Sequence, residues 1–367
     1  MSHVTSRHLN FMDALNVLAC FAVVCLHCGS AVWGNAGGSG WVACVVIQGT
    51  CIFAVPVFVM LSGANLLGYR SRYSTRQFFA RRVRKVGGMF LGLSVLYYLV
   101  GVFCPGLVSL AVEHASVANF LRLFLQNRIL DIFWFFYMII GLYAFTPVLS
   151  LMAKRPQLMG YVLALCLLCG CLFPLVNRFL GDGLMNQFTY PYFTMWVAYF
   201  VTGYLLNEHD NHLKAIPTAA LVVGALLCAG FMVAMSLVVN LPHVATSPNP
   251  SAYDPFYASV TSPACYGLAC CLFLLFRRME AWFSQPCVAQ ALRVLAPLSF
   301  GVYGIHMLVL SVLQNTLGFG ALLAGPLGMV AFVAEPFIVL LASQAIVLLA
   351  KTISRRVQQR GKRKRIR

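Results

Sequence analysis

The chain has 367 residues, 60% of them hydrophobic and only 10% charged, with a mean hydropathy of +0.82. That composition excludes an ordinary soluble enzyme and leaves no room for a sizeable soluble domain, so the chain reads as a polytopic membrane protein. The formal charge of +17 raises nucleic acid as a partner, but its placement along the chain assigns it elsewhere.

The first apolar run, 11–33, is about 20 residues long and lacks a small-residue cleavage pattern. It is therefore predicted as a transmembrane helix and not a cleaved signal. It carries Asp13, Asn16 and His27. At about 100° per residue these three fall within roughly 60° of one another, with Cys20 and Val24 between them. An ionisable group in hydrocarbon costs a few kcal/mol unless it faces protein or water. The stripe thus marks either an interior site or a packing face with satisfied polar groups.

A short uncharged turn at 34–40 leads to a second span near 41–69, which holds the small pair Ser62-Gly63. The loop that follows ends in Arg76, Arg81, Arg82, Arg84 and Lys85. Such a cluster binds phosphate well, Arg through forked hydrogen bonds and Lys as a point charge. Stop-transfer charge in contact with lipid headgroups is the other reading of it.

Further spans are predicted near 87–104, 132–152, 158–177, 191–206, 215–239, 255–276, 294–314 and 321–350. Within the 105–131 segment, 116–126 is weakly amphipathic and suits the membrane surface. Cys166, Cys169 and Cys171 have metal-like spacing. They sit in mid-span with no His or carboxylate near, so they read as small apolar filler and no metal site is expected. The 14 Cys form no disulfide framework. His306 lies about 3 Å outward of its span's centre and His27 about 7 Å outward of its own, so the two are able to meet in the outer half. A His satisfied by a backbone carbonyl is the alternative. Glu335-Pro336 is predicted to interrupt the last span near its middle. A lone intramembrane carboxylate is a functional candidate, and the kink either lines a cavity or merely serves packing.

Ten spans put both termini on one side. With that side cytoplasmic, all but Arg122, Arg128 and Arg178 of the 26 Lys and Arg lie inside, as the positive-inside rule demands. The basic charge is then topology plus attraction to anionic membrane lipids, and no nucleic-acid partner is expected. The predicted fold is an all-α bundle of about ten transmembrane helices. Residues 1–350 make one membrane domain, and 351–367 make a basic cytoplasmic tail that begins as a helix extension.

These pieces, in this order, resemble the acyltransferase-3 family of integral-membrane O-acyltransferases, which place acetyl or other short acyl groups on surface glycans. The family's first-span Asp, Leu-Arg and a His eleven residues beyond the Arg appear as Asp13, Leu15-Asn16 and His27. Its Phe-x-x-Ser-Gly appears as Phe58, Ser62 and Gly63 with one extra residue between. Its Arg-x-x-Arg/Lys element matches Arg82 and Lys85 in frame. The aromatic Leu-Trp-Phe segment matches Phe133-Trp134-Phe135, and the late Ser-Phe-Gly-x-Tyr-x-x-His matches Ser299 to His306. Two positions depart: Asn16 stands for the family's Arg, and Ile132 for a His before the aromatic segment. The matched elements span about the whole chain, as in short members without a fused soluble esterase-like domain.

The resemblance implies a bacterial cytoplasmic-membrane O-acyltransferase, with acetyl as the leading acyl group. A cytoplasmic acyl-CoA, most simply acetyl-CoA, is the implied co-substrate, with no bound cofactor. A glycan or lipid-linked saccharide is the implied acceptor. His27 is the expected catalytic residue. Arg81, Arg82, Arg84 and Lys85, with Asp13 and Asn16, are expected on the donor side. Ser62, Gly63, Trp134, Tyr303, His306 and Glu335 are expected in the pocket, Trp134 to stack on a sugar. Asp13 and Asn16 lie about 16–21 Å from His27 by helical rise, too far for a catalytic dyad. The rival class is a transporter or exporter of a glycan or small acid, which ten spans with a polar interior also suit.

Overall fold

The computed structural model describes residues 9–33, 39–110, 112, 114–181, 191–208, 213–246 and 253–366. Residues 34–38 of the predicted turn at 34–40 lie outside these. The described residues form helices and turns, with no strand. In hydrocarbon each backbone group must be satisfied within its own segment, and the helix does this.

Among the described residues, eight helical segments are long and apolar enough to cross a membrane: Asn10–Trp33, Gly40–Ser71, Thr75–Phe103, Asp131–Met152, Pro156–Leu180, Thr218–Pro242, Pro286–Thr316 and Gly328–Arg356. The chain is thus an all-helical, multi-pass membrane protein. Within these segments we label α1 (Asn10–Cys28), α2 (Ser39–Cys51), α3 (Ala54–Leu66), α4 (Thr75–Arg82) and α5 (Gly88–Phe103). A short α6 (Val117–Leu125) precedes α7 (Trp134–Met152), α8 (Pro156–Leu167) and α9 (Phe173–Leu180). Then come α10 (Pro191–Glu208), α11 (Thr218–Thr246), α12 (Pro263–Arg278), α13 (Glu280–Phe283) and α14 (Pro286–Leu295). The chain ends with α15 (Ser299–Ser311), α16 (Phe319–Ala324) and α17 (Gly328–Ile366).

The remaining two predicted spans exist as helices but fall outside the eight. α12 starts at Pro263 and not near 255, because turns occupy the preceding residues. Its 16 residues rise only about 24 Å, short of the roughly 30 Å hydrocarbon core. α10, with 18 residues, is a central helix. Met195, Trp196, Ala198, Tyr199, Phe200 and Val201 are all buried, and a helix buried all round needs no amphipathic face.

α10 lies against α3 in close backbone contact. A methyl group on Gly63 would stand 1.7 Å from the Phe200 carbonyl oxygen, and one on Gly203 2.0 Å from that of Met60. The contact is reciprocal, each glycine resting on the carbonyl three residues before the other. Small residues at such crossings let backbones approach where no hydrophobic effect drives helices together.

Two other corrections concern prolines. The second span is two helices, α2 and α3, because Pro56 has no N–H for the Ile52 carbonyl and sits in the first turn of α3. Glu335-Pro336 does not interrupt its span at the middle. Helix α17 runs through Pro336 without a break, and Glu335 lies near its beginning, where one lost hydrogen bond to the Phe332 carbonyl is tolerated.

Side chains fix the helix ends that frame the site. Glu280 reaches across to cap α1, accepting from Asn10 N at 3.2 Å and Phe11 N at 2.7 Å. A carboxylate there meets the positive end of the helix dipole. Ser74 opens α4 with a capping box: Gln77 N donates to Ser74 Oγ at 3.3 Å, and Ser74 N donates to Gln77 Oε1 at 3.2 Å. Arg277 forks onto the Leu206 and Asn207 carbonyls at the end of α10, at 3.0 and 2.6 Å, filling acceptors that a helix terminus leaves open.

Candidate active site

A cavity of about 620 Å³ opens between α1, α3, the α4–α5 segment, α7, the α14–α15 joint and α17. Its exposed rim carries Arg72, Arg82, Lys85 and Lys351, with Asp13 the one carboxylate in the lining. Even with Asp13 paired, this leaves three uncompensated positive charges. Deeper in, the walls turn aromatic, with Phe58, Phe135, Tyr143 and Tyr303. The cavity is therefore amphiphilic along its length, cationic outside and apolar inside.

Local structure explains which basic residues reach it. Arg82 ends α4, and a π turn, Val83–Gly87, follows before α5. Across that turn Arg82 and Lys85 line the cavity. Arg81 and Arg84 are exposed and do not; the Arg81 guanidinium stacks on the Tyr73 ring, 4.7 Å from its centroid. Arg82 is half-buried, its Nε has no hydrogen-bond partner, and its guanidinium lies 5.9 Å from the Tyr143 centroid. A fixed guanidinium with an open donor is preorganised for an oxyanion. Ser62 lines the same wall, whereas Gly63 faces α10.

Asn16 and Lys351 meet at the α14–α15 joint. Asn16 Nδ2 donates to the Ala296 carbonyl at 3.1 Å, and Lys351 Nζ to the Pro297 carbonyl at 2.6 Å. Those carbonyls are available because a 3₁₀ turn, Ala296–Leu298, breaks the α-helical ladder there.

Tyr303 lines the cavity and is buried, its hydroxyl donating to the Ile132 carbonyl at 2.6 Å. Its ring lies 5.9 Å from that of His306, and His306 lies 5.0 Å from His27. The two histidines, 279 positions apart in the sequence, thus form a pair beyond the aromatic end of the cavity. His306 Nδ1 sits 2.8 Å from the Tyr303 carbonyl and 3.1 Å from that of Val302. Carbonyls only accept, so in the neutral ring Nδ1 carries the proton and Nε2 carries the lone pair. Nε2 is buried and has no hydrogen-bond partner.

Glu335 is fully buried, takes a hydrogen bond from Gln314 Nε2 at 2.8 Å and lies beside the Cys28 thiol, one residue from His27. Trp134 packs on Trp196, centroids 5.5 Å apart, and does not line the cavity. The structure therefore gathers Asp13, Asn16, Ser62, Arg82, Lys85 and Tyr303 at one cavity. It sets His27 and His306 behind it, keeps Glu335 near α1, and leaves Arg81, Arg84, Gly63 and Trp134 outside. Sequence reasoning missed Arg72 and Lys351 as rim residues. The signal for Lys351 was a lysine immediately after the last apolar run.

A multi-pass helical bundle with a cationic cavity mouth and a histidine pair behind Tyr303, His306 buried and His27 half-buried, has the layout of a membrane group-transfer enzyme. The family model described as an acyltransferase domain, acyltransferase-3, matches residues 9–349. The chain belongs to the acyltransferase-3 family. No curated protein and no solved structure matches it.

Proposed function

We propose that this membrane acyltransferase is an acyl-CoA-dependent O-acetyltransferase of the bacterial cytoplasmic membrane, acting on a hydroxyl of a cell-surface or lipid-linked glycan. Ten spans and both termini cytoplasmic accord with the distribution of Lys and Arg, α10 and the short α12 being counted with the bilayer thinned locally around α12. The donor enters the cationic rim from the cytoplasm, with its phosphates at Arg82 and Lys85 and its acyl arm along the aromatic walls toward Tyr303. The acceptor hydroxyl approaches from the outer side.

His27 removes the acceptor's proton as its oxygen attacks the thioester carbonyl. The C–S bond breaks, and the leaving thiolate takes the proton back from the imidazolium. His306, its Nδ1 held by two carbonyls, keeps its own neutral ring in a defined tautomer with an unshared lone pair on Nε2. Acylation of His27 itself is the covalent variant of this route.

The observation that carries the reading is the His27–His306 pair, 5.0 Å apart just beyond the cavity's aromatic end. The experiment is acyl transfer from labelled acetyl-CoA to surface glycan in cells carrying His27→Ala. Turnover should fall by about 10²–10⁴-fold, the span of a lost general base. Unchanged turnover at equal expression refutes the assignment. In purified wild-type protein, acetyl-CoA should release free CoA when acceptor is present, which a transporter would not do.

A further inference from the structure

The cavity rim holds more positive charge than the protein itself can use. Arg72, Arg82, Lys85 and Lys351 come from four places in the chain: the loop after α3, the end of α4, the π turn, and the last helix. Lys85 lies within electrostatic range of both Lys351 and Arg82, and Arg355 within range of Lys351. Bringing like charges together costs free energy that a single Asp13 cannot offset. Two of the cations, Lys351 and Arg72, are nevertheless held in place. Lys351 spends one of its three donors on the Pro297 carbonyl, Arg72 donates to the Asn65 carbonyl, and the buried Arg82 Nε is open. A fixed cluster with spare donors and excess charge is a site for a polyanion.

We propose that Lys351 and Arg72 belong to the donor site, completing with Arg82 and Lys85 a four-cation clamp for the phosphates of a CoA-type donor. This rests on the reading that an acyl-CoA enters the cavity. The charge suits it: a phosphomonoester carries about −1.5 to −2 near neutral pH, and a pyrophosphate diester adds two more. A phospholipid headgroup offers the same phosphate chemistry with about one negative charge, too little for this rim. The shape suits it as well, since a slim arm can pass from the clamp along Phe58 and Phe135 to Tyr303. Because Lys351 is on α17, the last helix becomes part of donor recognition, and the α14–α15 joint ties it to Asn16 on α1.

The test is equilibrium binding of CoA to the full-length protein in neutral-lipid nanodiscs. Lys351→Glu should weaken CoA binding by about tenfold or more, as expected for loss of a charged hydrogen bond plus an added repulsion. Lys351→Arg should stay within about threefold, and Arg72→Gln should weaken binding in the same direction. Dephospho-CoA should bind the wild type more weakly than CoA. Unchanged CoA affinity in both Lys351→Glu and Arg72→Gln, with unaltered melting temperature, overturns the clamp while leaving the donor reading intact. A wild type that binds no CoA overturns the donor reading and the clamp with it. A wild type stabilised by phosphatidylglycerol nanodiscs but not by CoA assigns the rim to lipid headgroups and also overturns the proposal. If Lys351→Glu does not fold, Lys351→Gln takes its place with the same direction of change.

Discussion

Replacing Gly63 by Ala tests how tightly the cavity wall is built. The new methyl would stand 1.7 Å from the Phe200 carbonyl oxygen and 2.6 Å from its carbon. Both obstacles are backbone, so no side chain can turn away. To reach an ordinary contact the α3–α10 crossing must open by roughly 1.5 Å or more, which forfeits dispersion along both helices. Overpacking typically costs about 1–3 kcal/mol, and with backbone on both sides the upper end, about 3 kcal/mol, is expected. Gly203→Ala presses on the same crossing from the other side, 2.0 Å from the Met60 carbonyl oxygen. Once one methyl has opened the gap, the second finds part of its space made. The double variant should therefore be destabilised by clearly less than the sum of the singles, a coupling of about 1 kcal/mol or more. Unfolding in detergent, followed by melting temperature and by denaturant midpoint, gives these values. Acyl transfer should fall with them, because Ser62 on the cavity wall moves with its neighbour. A Gly63→Ala protein within about 0.5 kcal/mol of wild type, or strictly additive singles, would refute the close-contact account.

Arg82→Ala should raise the KM for the acyl donor by about tenfold or more at moderate salt, from the loss of a charged hydrogen bond; initial rates over a donor series check this, and the penalty should shrink as salt screens the rim. Glu280→Ala removes the carboxylate from the Asn10 and Phe11 amides and should cost about 1–2 kcal/mol of stability, read from the melting temperature. Tyr303→Phe leaves the Ile132 carbonyl without its donor and should cost about 1–3 kcal/mol, again by thermal or denaturant unfolding.

Much of this was legible in the sequence because membrane proteins write their spans in composition. The stripe of Asp13, Asn16 and His27 was readable from helical period alone, and so was the meeting of His27 with His306 from span depth. The family element set Arg82 and Lys85 in frame, yet Arg81 and Arg84 were expected on the donor side with them, and only the structure separates the two pairs. The physical cause of that separation is the π turn after Arg82, which no simple period contains. Arg72 and Lys351 were missed as a pair because only tertiary packing sets residues 279 positions apart on one rim. Gly63 looked like part of a chemical motif, yet its neighbour is the α10 backbone, and close approach leaves no mark in a single sequence. Pro336 suggested a break where the helix continues, since a proline removes one hydrogen bond and the neighbouring turns can absorb that loss.

Helix α17 runs unbroken for 39 residues, a rod of about 58 Å at 1.5 Å per residue, nearly twice the hydrocarbon thickness. From Arg355 to its end at Ile366 the backbone advances about 16 Å, some two Debye lengths at physiological salt. Lys351 and Arg355 therefore add their charge at the mouth of the cavity, whereas the far end of the helix backbone lies too far along the rod to bear on the potential there.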